Sequence, residues 1–354
     1  MHLKRERIIF RVDAATSIGI GHVMRCLTLA ENLKKYNNTI QFICRKAQGD
    51  CIELIRDRGF FVTELPEIDE EIWTYTDREW AVDAHQTIQA INNQSVSVLI
   101  VDHYAIDERW EERLYSFTDK MMVIDDIANR KHVCDILLDQ NDYIKGAERY
   151  YSLTPSNCKK LLGASYCLLR DEFIEQRINL KQRNSSVHNI FVSFGGSDPT
   201  DETTKLLQAL LKFKDKQIHV VVGKGNVNSE AIKNFCKKYS NYYYYFQINN
   251  MAEIINKCDI AIGAGGSSTW ERCSLGIPSL VVATAPNQLE LSRDAAKKEV
   301  IKFLGLASEI TIMDWQMHIH KFIQNEKLRH KIAENSLELV DGLGIKRIVR
   351  EILI

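Results

Sequence analysis

A short β-branched run, a turn carrying glycine or aspartate, and then a helical period recur along most of the 354 residues. Few architectures satisfy that alternation. A parallel strand pair can be joined only by a long return over the sheet, so the pattern specifies parallel sheets with crossover helices. In the first half the runs fall at 8–12, 39–44, 60–63, 96–101, 121–124 and 136–138, with helical period between them as at 23–33. This predicts a buried six-stranded sheet. A second series at 189–193, 218–222, 242–246, 260–263, 279–282 and 301–304 predicts another of the same kind. A chain of this length outgrows a single core, so two compact α/β units are expected, 1–184 and 185–354. The boundary is placed near Asn184 because residues 169–187 turn from charged to polar (Lys181, Gln182, Arg183, Asn184, Ser185, Ser186), the composition of a linker. Residues 64–94, acidic at first and carrying Trp73, Tyr75 and Trp80, read as a loop and helix covering the first sheet.

Composition removes several classes of function. Lys plus Arg number 46 against 47 Asp plus Glu, so no basic surface invites nucleic acid as a partner. Nine cysteines are scattered without a CxxC pair or a Cys/His cluster at metal spacing, which reads as reduced core thiols with neither disulfides nor structural zinc. No apolar stretch approaches the roughly 18 residues of a membrane span. The polar start at 1–7 lacks the features of a secretory signal, so a cytoplasmic location is expected. Nothing in the sequence fixes an oligomeric state, and a monomer fits.

The chemistry-bearing residues cluster where strands end. Arg11-Val12-Asp13 leads through Gly19-Ile20-Gly21-His22-Val23-Met24-Arg25 into a helix. The loop therefore lies at the carboxyl end of a parallel sheet, where open α/β folds bind ligands. Its GxG lacks the third glycine of a dinucleotide fingerprint, and Arg45 and Lys46 stand where an acidic ribose partner would follow the second strand. At a helix start the dipole disfavours the cationic imidazole, leaving His22 suited to act as a neutral base. Asp102-His103-Tyr104 ends the most apolar strand of this half. Asp102 is placed to orient an imidazole or to cap the next loop, and Tyr104 to hydrogen-bond a substrate hydroxyl. Asp13 and His103 are the alternative bases. Asp125-Asp126 looks like a metal-binding pair, yet adjacent residues on a strand end point in opposite directions, which argues against one.

In the second half, Phe194-Gly195-Gly196-Ser197-Asp198 and Gly265-Gly266-Ser267-Ser268-Thr269-Trp270-Glu271 each join a strand to a helix, with Asp198 or Thr200 as caps of the first. Both aim backbone N–H groups and a helix dipole outward, an arrangement that holds a diphosphate without metal or other cofactor. Glu271 is placed to accept from a ribose diol, or else is a solvated first-turn acid.

Together with Gln247-Ile248-Asn249-Asn250-Met251, Gly276-Ile277-Pro278 and Ala285-Pro286-Asn287-Gln288, these segments resemble the UDP-binding half of GT-B enzymes such as the lipid II N-acetylglucosaminyltransferase. The first half, with its glycine-histidine loop, Asp102-His103-Tyr104, Asp125-Asp126 and Cys134-Asp135-Ile136-Leu137-Leu138-Asp139-Gln140-Asn141, resembles the UDP-2,4-diacetamido-2,4,6-trideoxy-β-L-altropyranose hydrolases of pseudaminic acid biosynthesis and related spore-coat polysaccharide proteins. The resemblance, covering about 7–300, implies a GT-B fold of two Rossmann-like doubly wound domains with a cleft between them. It implies metal-independent attack of water on the anomeric carbon with inversion. It makes His22 catalytic, with Tyr104 and Asn287 on the sugar and the Ile248 backbone on uracil; the reading of the residues adds Asp13 and Tyr104 to His22 as the candidate catalytic set. The substrate contacts would be Gly21, Arg25, Asp102, His103, Gly196, Ser197, Ile248, Met251, Gly265, Gly266, Ser267, Glu271, Asn287 and Gln288. The chain exceeds many such proteins by 64–94 and by a tail after Ile312, which leaves the sugar open. A glycosyltransferase, with an acceptor groove lined by Trp73, Trp80 and Trp110, and a non-catalytic nucleotide-sugar binder are the competing readings.

Overall fold

The computed structural model describes residues 6–92, 94–183 and 186–354. The chain folds into two compact units: 1–141, 145–168 and 343–354 form one, 142–144 and 169–342 the other. Among the described residues no helix is long and apolar enough to cross a membrane.

The first unit is built on a parallel sheet of β1 (Arg7–Val12), β2 (Thr39–Arg45), β3 (Phe61–Leu65), β4 (Val96–Asp102), β5 (Thr118–Ile124), β6 (Ile136–Asp139) and β7 (Lys159–Leu162) in the order β3-β2-β1-β4-β5-β6-β7. It has seven strands rather than six. β7 reads Lys-Lys-Leu-Leu, and its two lysines broke the apolar run that would have marked it. β1 and β4 are buried along both faces, as expected of central strands covered by helices on each side. One face packs Ile8, Phe10 and Val12 beneath the helices Gly21–Lys34 and Gly344–Leu353, and the other packs Ile9, Leu99 and Val101 with Trp110 and Ala84. Residues 64–94 extend β3 and then form two helices, Ile72–Arg78 and Trp80–Ala90.

The second unit repeats the plan with β8 (Asn189–Ser193), β9 (Gln217–Val222), β10 (Tyr242–Phe246), β11 (Ile260–Ala264), β12 (Ser279–Ala283) and β13 (Lys302–Leu306) in the order β10-β9-β8-β11-β12-β13.

The units are drawn differently from 1–184 and 185–354. Asn184 and Ser185 lie outside the described residues, and the stretch before them is not a bare linker. Asp171–Ile178 is a helix of the second unit, anchored by Phe173, which is fully buried, and by Arg177 donating to the carbonyls of Ser274 (2.5 Å) and Leu337 (2.7 Å). Glu172, which accepts from Ala252 N–H at 3.0 Å, and Arg177 are helix-end partners, and composition alone does not separate those from solvated ones. At the other end of the chain, Gly344–Leu353 returns to the first unit and buries Ile345, Ile348, Val349 and Ile352 there.

Candidate active site

Both sheets reverse strand order beside their first strand, at β1/β4 and at β8/β11, and such switch points open a crevice at the strands' carboxyl ends. In the first unit Val12 is in register with Asp102, so the loop after β1 and the end of β4 lie side by side. His22, the second residue of Gly21–Lys34, reaches across that junction: its Nδ1 lies 2.6 Å from Asp102 Oδ1. Arg25, one turn on, donates from Nε and Nη2 to the two Asp102 oxygens, each at 2.6 Å, and from Nη1 to Asp126 Oδ2 at 2.9 Å. Burial alone would raise the Asp102 pKa, but Arg25 and His22 outweigh it and hold the carboxylate well below its usual range. Nδ1 also lies 3.1 Å from Arg25 Nη2, but that donor already serves Asp102 Oδ1 at 2.6 Å; assigning the Nδ1 proton to the shorter contact with the Asp102 carboxylate leaves Nε2 its lone pair. Among the described residues Nε2 makes no hydrogen bond.

Tyr104 stands over the imidazole, ring centroids 4.4 Å apart and nearly perpendicular, and its hydroxyl donates to Asp126 Oδ1 at 2.5 Å. Burial, then the Asp126 charge, push the phenol well above its ordinary pKa, so Tyr104 stays protonated. Asp125 and Asp126 turn apart. Asp125 accepts from Arg130 (2.8 Å) and from the N–H of Ala128 (2.9 Å), while Asp126 serves Arg25 and Tyr104. No group of three or more metal-ligating side chains occurs among the described residues.

Asp13 and His103 belong to a separate buried cluster. Asp13 accepts from the Arg45 backbone N–H at 2.6 Å, pairs with Arg11 at 2.7 Å and meets His103 Nε2 at 3.2 Å, and it is 1% exposed. Burial lowers the His103 pKa, and its Nδ1 accepts from Ala105 N–H, leaving Nε2 to face Asp13. Asp13 therefore braces the loop after β1 and does not reach solvent. Gly21 is exposed and Arg25 half-buried at the same strand ends.

In the second unit Gly263 pairs with Ser193, which brings the loops after β8 and β11 together. Gly195, with φ of 90°, turns the chain so that Gly196 and Ser197 stand exposed, while Asp198 accepts from Glu202 and Thr203 N–H (3.0 and 2.9 Å) and caps the following helix. Gly223, after β9, backs onto Gly196 so closely that a Cβ would lie 2.5 Å from its carbonyl oxygen. Gly265 and Gly266 lead to exposed Ser267 and the helix Ser268–Ser274. Gln288 comes up from the loop after β12: its Oε1 accepts from Thr284 N–H at 3.0 Å, and its Nε2 lies 3.9 Å from where a Gly266 Cβ would be. Asn287 beside it is exposed, whereas Ile248 and Met251 follow β10, two strands from β8.

Two arginines had no sequence signal. Arg170 donates to Glu271 Oε1 at 3.1 Å, so Glu271 is neither free nor simply solvated. Arg272 is 1% exposed beneath the Gly-rich loop, donating to the Ala264 carbonyl (2.9 Å), Thr269 Oγ1 (3.1 Å) and Ser268 Oγ (3.1 Å). No carboxylate forms an ion pair with it among the described residues; burial lowers its pKa to about 10, with the Glu271 charge acting against that, so a buried guanidinium lies under that loop.

Residues 189–312 match the Glycosyltransferase family 28 C-terminal domain. The chain is 27% identical over 292 residues to the UDP-2,4-diacetamido-2,4,6-trideoxy-beta-L-altropyranose hydrolase of Campylobacter jejuni, covering 82% of this chain and 97% of that one. It is 25% identical over 342 residues to the spore coat polysaccharide biosynthesis protein SpsG of Bacillus subtilis, covering 95% and 94%. A Methanocaldococcus jannaschii protein of uncharacterized function is 29% identical over 302 residues, and the chain spans 58% of its length. Among solved structures, Acinetobacter baumannii MurG matches with TM-score 0.66 at 12% identity over 99% of both chains, and the spinosyn rhamnosyltransferase SpnG with 0.70 at 13% over 98% and 99%. With the two parallel sheets, these likenesses give a GT-B fold.

Proposed function

We propose, from the likeness to the UDP-2,4-diacetamido-2,4,6-trideoxy-β-L-altropyranose hydrolases and SpsG, that this chain hydrolyses a UDP-linked acetamido-deoxy sugar at its anomeric carbon. Released UDP and free sugar would serve nonulosonic (pseudaminic) acid or surface polysaccharide synthesis. The observation that carries the reading is the 2.6 Å His22–Asp102 bond, which leaves Nε2 as the basic atom.

His22 Nε2 takes a proton from water as the water oxygen bonds to the anomeric carbon. The bond from that carbon to the diphosphate oxygen breaks, its electron pair leaving with UDP, and configuration inverts. Asp102 and Asp126 share the single guanidinium of Arg25, so the cluster carries one net negative charge before the proton arrives. Tyr104, its proton committed to Asp126, offers its oxygen to a sugar N–H or O–H. Diphosphate, with a terminal pKa of about 6, departs without protonation. The backbone donors at Gly196, Ser197, Gly265, Gly266 and Ser267 would hold it, with Arg272 beneath. Glu271, oriented by Arg170, would accept from the ribose, the Ile248 backbone and Met251 would meet the uracil, and Asn287 and Gln288 the sugar. No metal takes part in this scheme.

The family 28 match favours a second reading, glycosyl transfer. Of the three tryptophans suggested for its acceptor groove, Trp110 is fully buried with Nε1 donating to Asp83, and Trp80 lies against the Arg109 guanidinium, which supports that reading less. The assay is UDP release from a panel of UDP-amino sugars in chelator, with sugar products read by proton NMR. Hydrolysis predicts UDP and free sugar with water alone. Release only on adding an acceptor would mean a transferase, and no release a binder.

A further inference from the structure

Trp73 lies in the segment between β3 and β4 and takes no part in the scheme above. Glu71 fixes the start of its helix by accepting from the N–H groups of Trp73 (3.1 Å) and Thr74 (2.8 Å). Ile72 and Thr76 face the core, so Trp73 is turned onto a different side, half-buried. There it meets the two residues central to the chemistry. Its ring centroid is 6.0 Å from that of His22, nearly perpendicular, and 5.0 Å from that of Tyr104. The polar atoms of that cluster are largely committed: His22 Nδ1 to Asp102 and the Tyr104 proton to Asp126. What the indole adds beside the imidazole is apolar surface.

We infer that Trp73 is a specificity-determining residue, forming the apolar wall of the sugar subsite beside His22 and favouring sugars that present a methyl group over those that present a hydroxyl. The inference rests on the hydrolase reading for the identity of the ligand. The C6 methyl of a 6-deoxy sugar gains contact on the indole, whereas the hydroxyl of a 6-hydroxy sugar placed there loses its water without gaining a partner. A wall of this kind discriminates by about 10- to 100-fold.

The test uses UDP-2,4-diacetamido-2,4,6-trideoxy sugar, UDP-N-acetylglucosamine and UDP on the wild type, Trp73→Phe and Trp73→Ala. Trp73→Ala is expected to raise KM for the 6-deoxy substrate by about 10-fold with kcat within about threefold, and to collapse its preference over UDP-N-acetylglucosamine. UDP affinity should stay unchanged, and Trp73→Phe should retain most of the preference. Tryptophan emission reads the contact independently of turnover: the sugar nucleotide, but not UDP, should change it in the wild type, and Trp73→Phe should abolish that difference. An emission change that survives Trp73→Phe, no sugar-dependent change at all, or an unaltered preference in folded Trp73→Ala would each overturn the inference. If the wild type binds but hydrolyses neither compound, the hydrolase reading fails, and the emission difference alone decides for or against the wall.

Discussion

Asp139 ends β6 with its carboxylate shut away from water, accepting from Asn141 N–H at 2.9 Å and from the Tyr150 hydroxyl at 3.0 Å. Burial, reinforced by the charge of Asp126, raises its pKa to about 7. The unfolded chain ionises near 3.9, so between roughly pH 4 and 7 the folded state holds a proton that the unfolded state has released. Stability therefore falls as pH rises through that window and levels off above it. Asp139→Asn keeps the neutral form's hydrogen bonds, and urea unfolding should find it more stable than wild type by ~2–4 kcal/mol at pH 8.5 and nearly equal to it at pH 4. An equal difference at both pH values would count against this. At this scale the strand-end positions of His22, Asp102 and Tyr104 were legible, because a glycine turn or an acidic residue closing an apolar run marks the ligand edge of a parallel sheet. The divergence of Asp125 and Asp126 was legible too, from strand geometry. What was not legible was who answers whom. That Arg25 bridges Asp102 and Asp126, that Asp13 faces Arg11, and that Arg170 holds Glu271 depend on contacts across 77 to 101 residues or on packing behind the loop.

Among the elements, Gly344–Leu353 is instructive because its place follows from its apolar stripe and not from its neighbours in sequence. Gly344 approaches so closely that a Cβ would sit 2.4 Å from the Cys167 carbonyl oxygen, and Lys120 Nζ donates to the carbonyls of Glu351 (3.3 Å) and Ile352 (3.1 Å) at the far end. Ile348 is fully buried against β1 and its neighbours. Ile348→Ala should cost ~2–5 kcal/mol, so the melting temperature should drop by several degrees. A drop below about 1 °C would show that the helix contributes little to that core. The apolar strands were read correctly for the reason that failed at β7 and at Asp171–Ile178: periodicity detects burial by apolar residues and is blind to lysines on a sheet edge or charged residues bonded to helix ends. Residues 64–94, read as a loop and one helix, hold two, Ile72–Arg78 and Trp80–Ala90, meeting at Glu79.

At the scale of the molecule, two units of the same plan each expose glycine loops at a strand-order reversal, one beside an imidazole–carboxylate–guanidinium cluster and the other over a buried arginine. All nine cysteines are buried thiols outside any disulfide. Fold class was legible at this scale because alternation of strand and helix is a property of the whole chain. The choice between water and another acceptor was not, because in the proposed scheme it depends on what meets a single imidazole nitrogen. The most direct measurement is therefore steady-state hydrolysis of the UDP-acetamido sugar by folded His22→Asn, with UDP affinity by calorimetry alongside. If His22 Nε2 deprotonates the attacking water, kcat should fall by about 10²- to 10⁴-fold while UDP affinity stays nearly unchanged. Near-native turnover in the folded variant would contradict the account.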